Sequence, residues 1–456
     1  MAALDEIRTI VFLMLENRSF DHMLGHLSLE HPEWDVDGLR EPDANPRYAN
    51  FFEQRFYRPF LIEDEASAIR DPPHSRHHVN MQLARSPSGK KFRMSGFVEA
   101  YVDYTQHRAE QPPPMGYFDS NGAWMTSFLA RQYAVCDRWF CPLPSDTQPN
   151  RCMAFTGTTL IDDTGSRLIP HREHVFDWLN AHNVRWRVYT HGPPFFLLFG
   201  RFQELVGMKY RPFSQLEHDL QTEPADEAPQ VIFIEPRYFD FFWSDAQPNC
   251  NHPLARVAQG ERLLYDVYRT LTSNPEKWAR TLFIHTYDEH GGFFDHVPPL
   301  PIENPVPTGA RFTEGFKTTG PRVPGLLVSP WVQPGKAFHG NVDHTSWLQL
   351  LAEKFGTGPD GYSASVSHRR AQGIRSLSEA LADAPAQRPV PQREPLAIPA
   401  GPPLPTKRQP RAPNERAFQE AALELLKHQG PIATGAKYPE LVGAPLEPPN
   451  PVPPHP

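Results

Sequence analysis

The chain has 456 residues, of which 39% are hydrophobic and 21% charged, with a net charge of −8. That length exceeds the size at which one core usually stops growing, so two domains, or one large domain with insertions, are expected. The lack of a basic block speaks against a general nucleic-acid binder. No apolar run approaches the ~20 residues that cross a bilayer, and four cysteines are too few for a disulfide scaffold.

The first element is the apolar run Val11 to Leu15, a buried strand of a parallel sheet. Its context, Ile7 through Glu16-Asn17-Arg18, lacks a cationic start and a small-residue cleavage site, so it is not a signal peptide. Cytoplasmic residence is therefore the default expectation, with export after removal of a leader left open. Residues 40–120 are irregular and read as an insertion. A helix follows over Trp124 to Tyr133. Cys136 and Cys141 either pair, if the protein is exported, or remain buried free thiols, like Cys152 and Cys250. His174 to His182 reads as a helix feeding a short strand, Arg185 to Thr190, and residues 191–230 as a second insertion. Val231 to Ile234 is a strand closed by Glu235-Pro236. Arg256 to Thr272 carries Val257, Leu263, Leu264, Val267, Tyr268 and Leu271 at helical offsets. Thr281 to Tyr287 is a strand running into Asp288-Glu289. Val323 to Ser329 is a further strand, and His344 to Phe355 a helix capped near Asp343. Strands alternating with helices predict an α/β fold over residues 1–375. Residues 376–456 read as a Pro-rich tail that wraps the surface, with a short helix at Ser376 to Ala382 and a longer one at about 414–428.

Ligands of open α/β sheets bind beyond the carboxyl ends of strands, which directs attention to three segments. Asp288-Glu289-His290-Gly291-Gly292-Phe293-Phe294-Asp295-His296 sets two carboxylates at a strand end, then two glycines for a tight turn. Such carboxylates suit a hard divalent cation; the alternative is a solvated charged loop. Glu16-Asn17-Arg18-Ser19 ends another strand with a carboxylate and an amide, which either bind metal or phosphate or belong to a helix cap. Ser145-Asp146-Thr147 sets hydroxyls in a Pro-bounded turn before a helix, where phosphate binds well. A plain N-cap is the competing explanation. His74 and His252 are candidates for general acid or phosphate contact. Two aromatic segments, Phe195–Phe199 and Tyr238–Trp243, either receive acyl chains or pack in the core.

Four strings occur in order: Leu15-Glu16-Asn17-Arg18-Ser19-Phe20-Asp21-His22, Thr147-x-Pro-Asn-Arg151, Asn251-His252-Pro253, and Tyr287 through Asp295-His296 to Pro299. Together they resemble the phosphoesterase family of bacterial phosphatidylcholine-type phospholipases C and related acid phosphatases, over about residues 7–355. The resemblance implies an alkaline-phosphatase-like α/β sandwich, with a largely parallel sheet and helices on both faces. It implies one divalent metal held by Glu16, Asn17, Asp288, Glu289 and the hydroxyl of Thr147, the nucleophile. It also implies that Asn17, His74, His252 and His296 contact substrate, and that His252 protonates the leaving group. Oxygen ligands favour Ca²⁺, Mg²⁺ or Mn²⁺ over zinc. The expected activity is a phospholipase C-like phosphodiesterase with a phosphothreonine intermediate, acting on a small-molecule or phospholipid phosphoester. Many relatives of this type carry an export leader, and the haemolytic ones a C-terminal β-rich region. This sequence has neither, so an acid phosphatase is the alternative, and a non-catalytic metal-binding protein the third reading. The sequence does not set the oligomeric state.

Overall fold

A computed structural model of the chain describes residues 2–40, 46–63, 71–84, 92–171, 173–240, 246–356, 358, 361–398 and 412–442. Phe241 to Trp243 and the terminal Pro-rich tail lie outside the described residues.

The four predicted apolar runs become strands Thr9–Leu15, Val231–Glu235, Thr281–Tyr287 and Gly325–Val328. They are buried over nearly their whole length because both faces of the sheet are covered. Eight strands form the sheet, in the order Lys336–Phe338, Ala134–Cys136, Gly325–Val328, Thr281–Tyr287, Thr9–Leu15, Val231–Glu235, Trp186–Thr190, Tyr210–Pro212. All run parallel except Gly325–Val328, which is antiparallel to its two neighbours. An apolar run does not encode direction; here the return of the chain after the Asp288 loop decides it.

Strand side chains alternate between faces. Phe12 stacks on Trp347 of the helix Ser346–Phe355 and meets Phe155 of the helix Thr147–Thr156. Tyr287 sits in odd register to Phe12 and so points to the other face. Its hydroxyl accepts from Asn251 just ahead of the amphipathic helix Val257–Thr272. The sheet is thus covered on both sides.

The remaining helices shift by a residue or two: Trp124–Gln132, and Val175–Ala181 capped by His174. The helix expected from His344 starts at Ser346, because Asp343 spends its carboxylate on Thr345 and Arg369. The turn at 377–380 is 3₁₀. All four cysteines are free and buried, so Cys136 and Cys141 do not pair. The Pro413–Lys437 helix, kinked at Gly430, does not lie on the surface as expected. It buries Phe418, Ala421, Ala422 and Leu425 in the same core as the sheet. Among the described residues, no helix is long and apolar enough to cross a membrane.

Candidate active site

Strands Thr9–Leu15 and Thr281–Tyr287 pair in register from Thr9 opposite Thr281 to Leu15 opposite Tyr287. Glu16 and Asp288 therefore leave the sheet side by side. Backbone bonds stitch the two exits together: Asp288 N–H donates to Leu15 O at 3.1 Å, Asn17 N–H to Asp288 Oδ1 at 3.0 Å, and Arg18 N–H to Glu289 O at 3.1 Å. Asn17 is left-handed at φ 61°. Gly291, at φ 64°, passes so close that a Cβ there would lie 2.2 Å from Asn17 O. This is the tight turn the two glycines were expected to make. Ser19 caps the short helix Phe20–Leu24 by accepting from His22 N–H at 3.2 Å, which leaves the Asn17 side chain for other work.

Glu16, Asn17, Asp288 and Glu289 are fully buried. Burial pushes the Glu16 carboxyl up to about 8, although Arg151 opposes it. Burial also raises Asp288, against the same guanidinium. Glu289 is held below its ordinary range: burial pushes it up, but His74 and His290 outweigh that. Arg151 is the shared counter-charge. Its Nε donates to Asp288 Oδ2 at 3.0 Å, and its Nη2 lies 3.5 Å from Glu16 Oε1.

Thr147 is the first residue of the helix Thr147–Thr156. The cap position belongs to Asp146, whose side chain makes no capping bond, so Thr147 is not an N-cap. It lines a cavity of about 490 Å³ together with His74, His252, Asp146 and Asp240, walled by Tyr104, Phe239 and Leu254. His74 Nδ1 donates to Pro72 O at 2.8 Å, and its Nε2 lies 3.1 Å from Asn17 Nδ2 and 3.8 Å from Glu289 Oε1. Burial opposes its protonation, but Glu289, Asp71 and Asp146 hold its pKa up to about 10. His252 stacks flat on Phe239 and donates from Nδ1 to Pro253 O at 2.9 Å. Burial lowers it, yet Asp71, Asp240 and Glu16 leave it raised overall. Two imidazoles with raised pKa and a hydroxyl at a helix N-terminus thus face one cavity, which Asp71, Asp146, Asp240 and Glu415 also line.

The profile of the phosphoesterase family matches residues 7–358. The chain belongs to the phosphoesterase family. It is 34% identical to non-specific phospholipase C3 of Arabidopsis thaliana over 349 residues, 73% of this chain and 65% of that one. It is 28% identical to phospholipase C B of Mycobacterium tuberculosis over 413 residues, 77% and 74% of the two chains. It is 27% identical to hemolytic phospholipase C of Pseudomonas aeruginosa over 402 residues, 77% and 53%. The chain thus spans just under two thirds of the length of the plant relatives. A phosphonate monoester hydrolase of Agrobacterium radiobacter is among the solved structures that match, at 8% identity and a TM-score of 0.32, covering 81% of this chain and 78% of that one.

In this phosphoesterase the acceptor atoms Glu16 Oε1 and Oε2, Asn17 Oδ1 and Glu289 Oε1 are buried without a hydrogen-bond partner among the described residues. Buried oxygens without a partner are costly, and an oxygen-seeking divalent cation would satisfy them. The donor set expected from sequence therefore fits a hard cation in its chemistry. Asp288 differs, since its oxygens already accept from Asn17, Glu289 and Arg151. Asp21, Asp295 and His296 bring ligand atoms within 4.8 Å of one another, and they are the one His, Cys, Asp or Glu trio among the described residues to do so. That trio already has an internal cation: Arg322 donates to Asp295 Oδ1 at 2.9 Å and Asp21 Oδ1 at 3.1 Å.

His296 corrects an expectation. It does not line the cavity; its Nδ1 lies 2.7 Å from Asp21 Oδ2 and its Nε2 3.0 Å from Asp37 Oδ1. Its ring joins the loop to Asp21 and Asp37. Sequence reasoning gave no role to Arg151, Asp146 or Asp240. Arg151 had a legible signal, since a cation four residues after Thr147 lies on the same helix face. Asp240 had none, because only the tertiary fold brings it to His252.

Proposed function

We propose that this phosphoesterase is a metal-dependent phosphoester hydrolase of phospholipase C type, working through a covalent phosphothreonine at Thr147. The observation that carries the reading is the hydroxyl of Thr147 at a helix N-terminus in one cavity with His74 and His252, beside buried oxygens that lack partners. The phospholipase C names of the relatives supply the substrate class.

In the proposed reaction the substrate phosphoryl group sits at the start of the Thr147 helix, where the Thr147 amide and the imidazoles of His74 and His252 meet its oxygens. Thr147 Oγ1 attacks phosphorus as its hydroxyl proton passes to water in the cavity, and the bond to the alcohol breaks. His252 Nε2, free while Nδ1 is tied to Pro253, gives the alcohol its proton. Water then attacks the phosphothreonine and gives its proton to His252; the P–Oγ1 bond breaks, and Oγ1 regains its proton from water in the cavity. A divalent cation held by Glu16, Asn17, Glu289 and Asp288 would offset phosphoryl charge and make the hydroxyl a better nucleophile. Arg151 keeps Asp288 aligned for that set.

A phosphomonoesterase is the second reading. It is favoured by two imidazoles with raised pKa facing the hydroxyl, since a phosphate dianion gains more from them than a diester monoanion. Comparing p-nitrophenyl phosphate with p-nitrophenyl phosphorylcholine decides between the two. Thr147→Ala is expected to abolish turnover of either at unchanged melting temperature, with loss of the phosphothreonine trapped by acid quench. Parent-level turnover by a folded Thr147→Ala overturns the nucleophile.

A further inference from the structure

The first turn of the Pro413–Lys437 helix forms one wall of the cavity that holds Thr147 and His252. From it the buried side chain of Asn414 reaches across to two other elements. Its Oδ1 accepts from Gln148 Nε2 at 3.0 Å, and its Nδ2 donates to Asp240 Oδ2 at 2.8 Å. Gln148 directly follows Thr147 and is pinned on its far side, exchanging hydrogen bonds with Gly165 at 3.0 and 3.1 Å. The clamp is itself anchored, because Phe418, one turn on, packs against Phe195 and Tyr238 of the main core.

We infer that Asn414 is a positioning residue for the reaction, tying the helix that carries Thr147 to the Asp240 carboxylate that supports His252. The inference rests on the hydrolase reading of this cavity. The chemistry follows from what an amide can do and a carboxylate cannot. Gln148 needs an acceptor and Asp240 a donor, at one point and without charge. An amide supplies both. The groups that act on Asp240 are His252, Glu415, Asp71, Glu16 and Asn414 itself, and burial pushes its carboxyl up to about 6. With three other carboxyl groups already near, the Asn414 N–H favours the ionised Asp240 that His252 requires. A segment beyond the family match at residues 7–358 thereby belongs to the working site.

The test measures kcat and KM of the full chain on p-nitrophenyl phosphorylcholine and p-nitrophenyl phosphate across about pH 5 to 8, for the parent, Thr147→Ala, Asn414→Ala and Asn414→Asp. Asn414→Ala is expected to lower kcat about tenfold with KM within about twofold, since misplacement rather than lost binding is the defect. Asn414→Asp keeps the acceptor for Gln148 but sets a carboxylate against Asp240. Its loss should be deeper than that of Asn414→Ala at pH 8. It should recover toward the parent at acid pH, where one proton shared by the two carboxyls restores the hydrogen bond. A ratio of Asn414→Asp to parent that stays flat with pH overturns the inference, as does unchanged kcat in Asn414→Ala. Failure of both variants to fold also overturns it, in favour of a purely structural clamp. The parent and Thr147→Ala arms keep the claims apart: if the parent turns over neither substrate, the hydrolase reading falls; if the parent is active and the Asn414 variants match it, only this inference falls.

Discussion

Replacing Arg151 by methionine isolates the charge balance of the acidic site. Arg151 is fully buried, donates to Asp288 Oδ2 at 3.0 Å and Tyr238 Oη at 3.0 Å, and lies 3.5 Å from Glu16. Its guanidinium sits between the rings of Phe195 and Tyr238, at 4.9 and 5.1 Å, so methionine keeps most of the packing. What is lost is the counter-charge. Removing one partner of a buried ion pair costs about 3–5 kcal/mol. The lower end applies here for two reasons. Asp288 Oδ1 keeps its bonds from the Asn17 and Glu289 amides, and Glu16, already pushed up to about 8, stays protonated and neutral. An unfolding entropy of about 2 cal/mol/K per residue turns about 3 kcal/mol into a drop of about 3 °C for a chain of this size. Scanning calorimetry in chelator should record that drop. Added Ca²⁺ should raise the melting temperature of Arg151→Met more than that of the parent, and Arg151→Met combined with Asp288→Asn should recover most of the loss. A melting temperature within about 1 °C of the parent in chelator refutes the reasoning.

Three further outcomes are expected. Gly291→Ala should destabilise the fold by about 2–4 kcal/mol and abolish turnover, because the left-handed φ and the close Asn17 carbonyl both exclude a Cβ; parent-like melting and activity would contradict this. Burial holds His26, His171, His285 and His344 at about 4. The unfolded chain therefore takes up protons first as pH falls below about 6.5, and stability should fall from there toward pH 4. His174 and His191, held at about 3 and 4, add to this; Glu16, pushed up to about 8, and Asp240 and Asp295, pushed up to about 6, act in the opposite sense but are fewer. Melting curves at about pH 7 and pH 5 check the sign, and an equal or higher melting temperature at the lower pH defeats it. Exhaustive chelation should silence turnover, with Ca²⁺, Mg²⁺ or Mn²⁺ restoring it; full activity after metal removal excludes the cation.

The sequence alone carried the strands that matter most. Thr281–Tyr287 was bounded to the residue because a continuous β-branched and aromatic run ends abruptly in Asp288-Glu289. Local patterning also marked Glu16-Asn17 and the Gly291-Gly292 turn, since strand ends and glycines are short-range signals. The Thr147 hydroxyl was legible as lying near a helix start; only the structure gave the capping position to Asp146. Strand direction was not legible, which is why Gly325–Val328 emerges antiparallel. The role of His296 was not legible either, because its partners Asp21, Asp37 and Arg322 come from distant segments. The same holds for Asp240 and Asn414. Periodicity reports which face of an element is apolar, but which polar side chains share a buried cavity depends on how elements far apart in the chain pack, and that is decided only when the core closes.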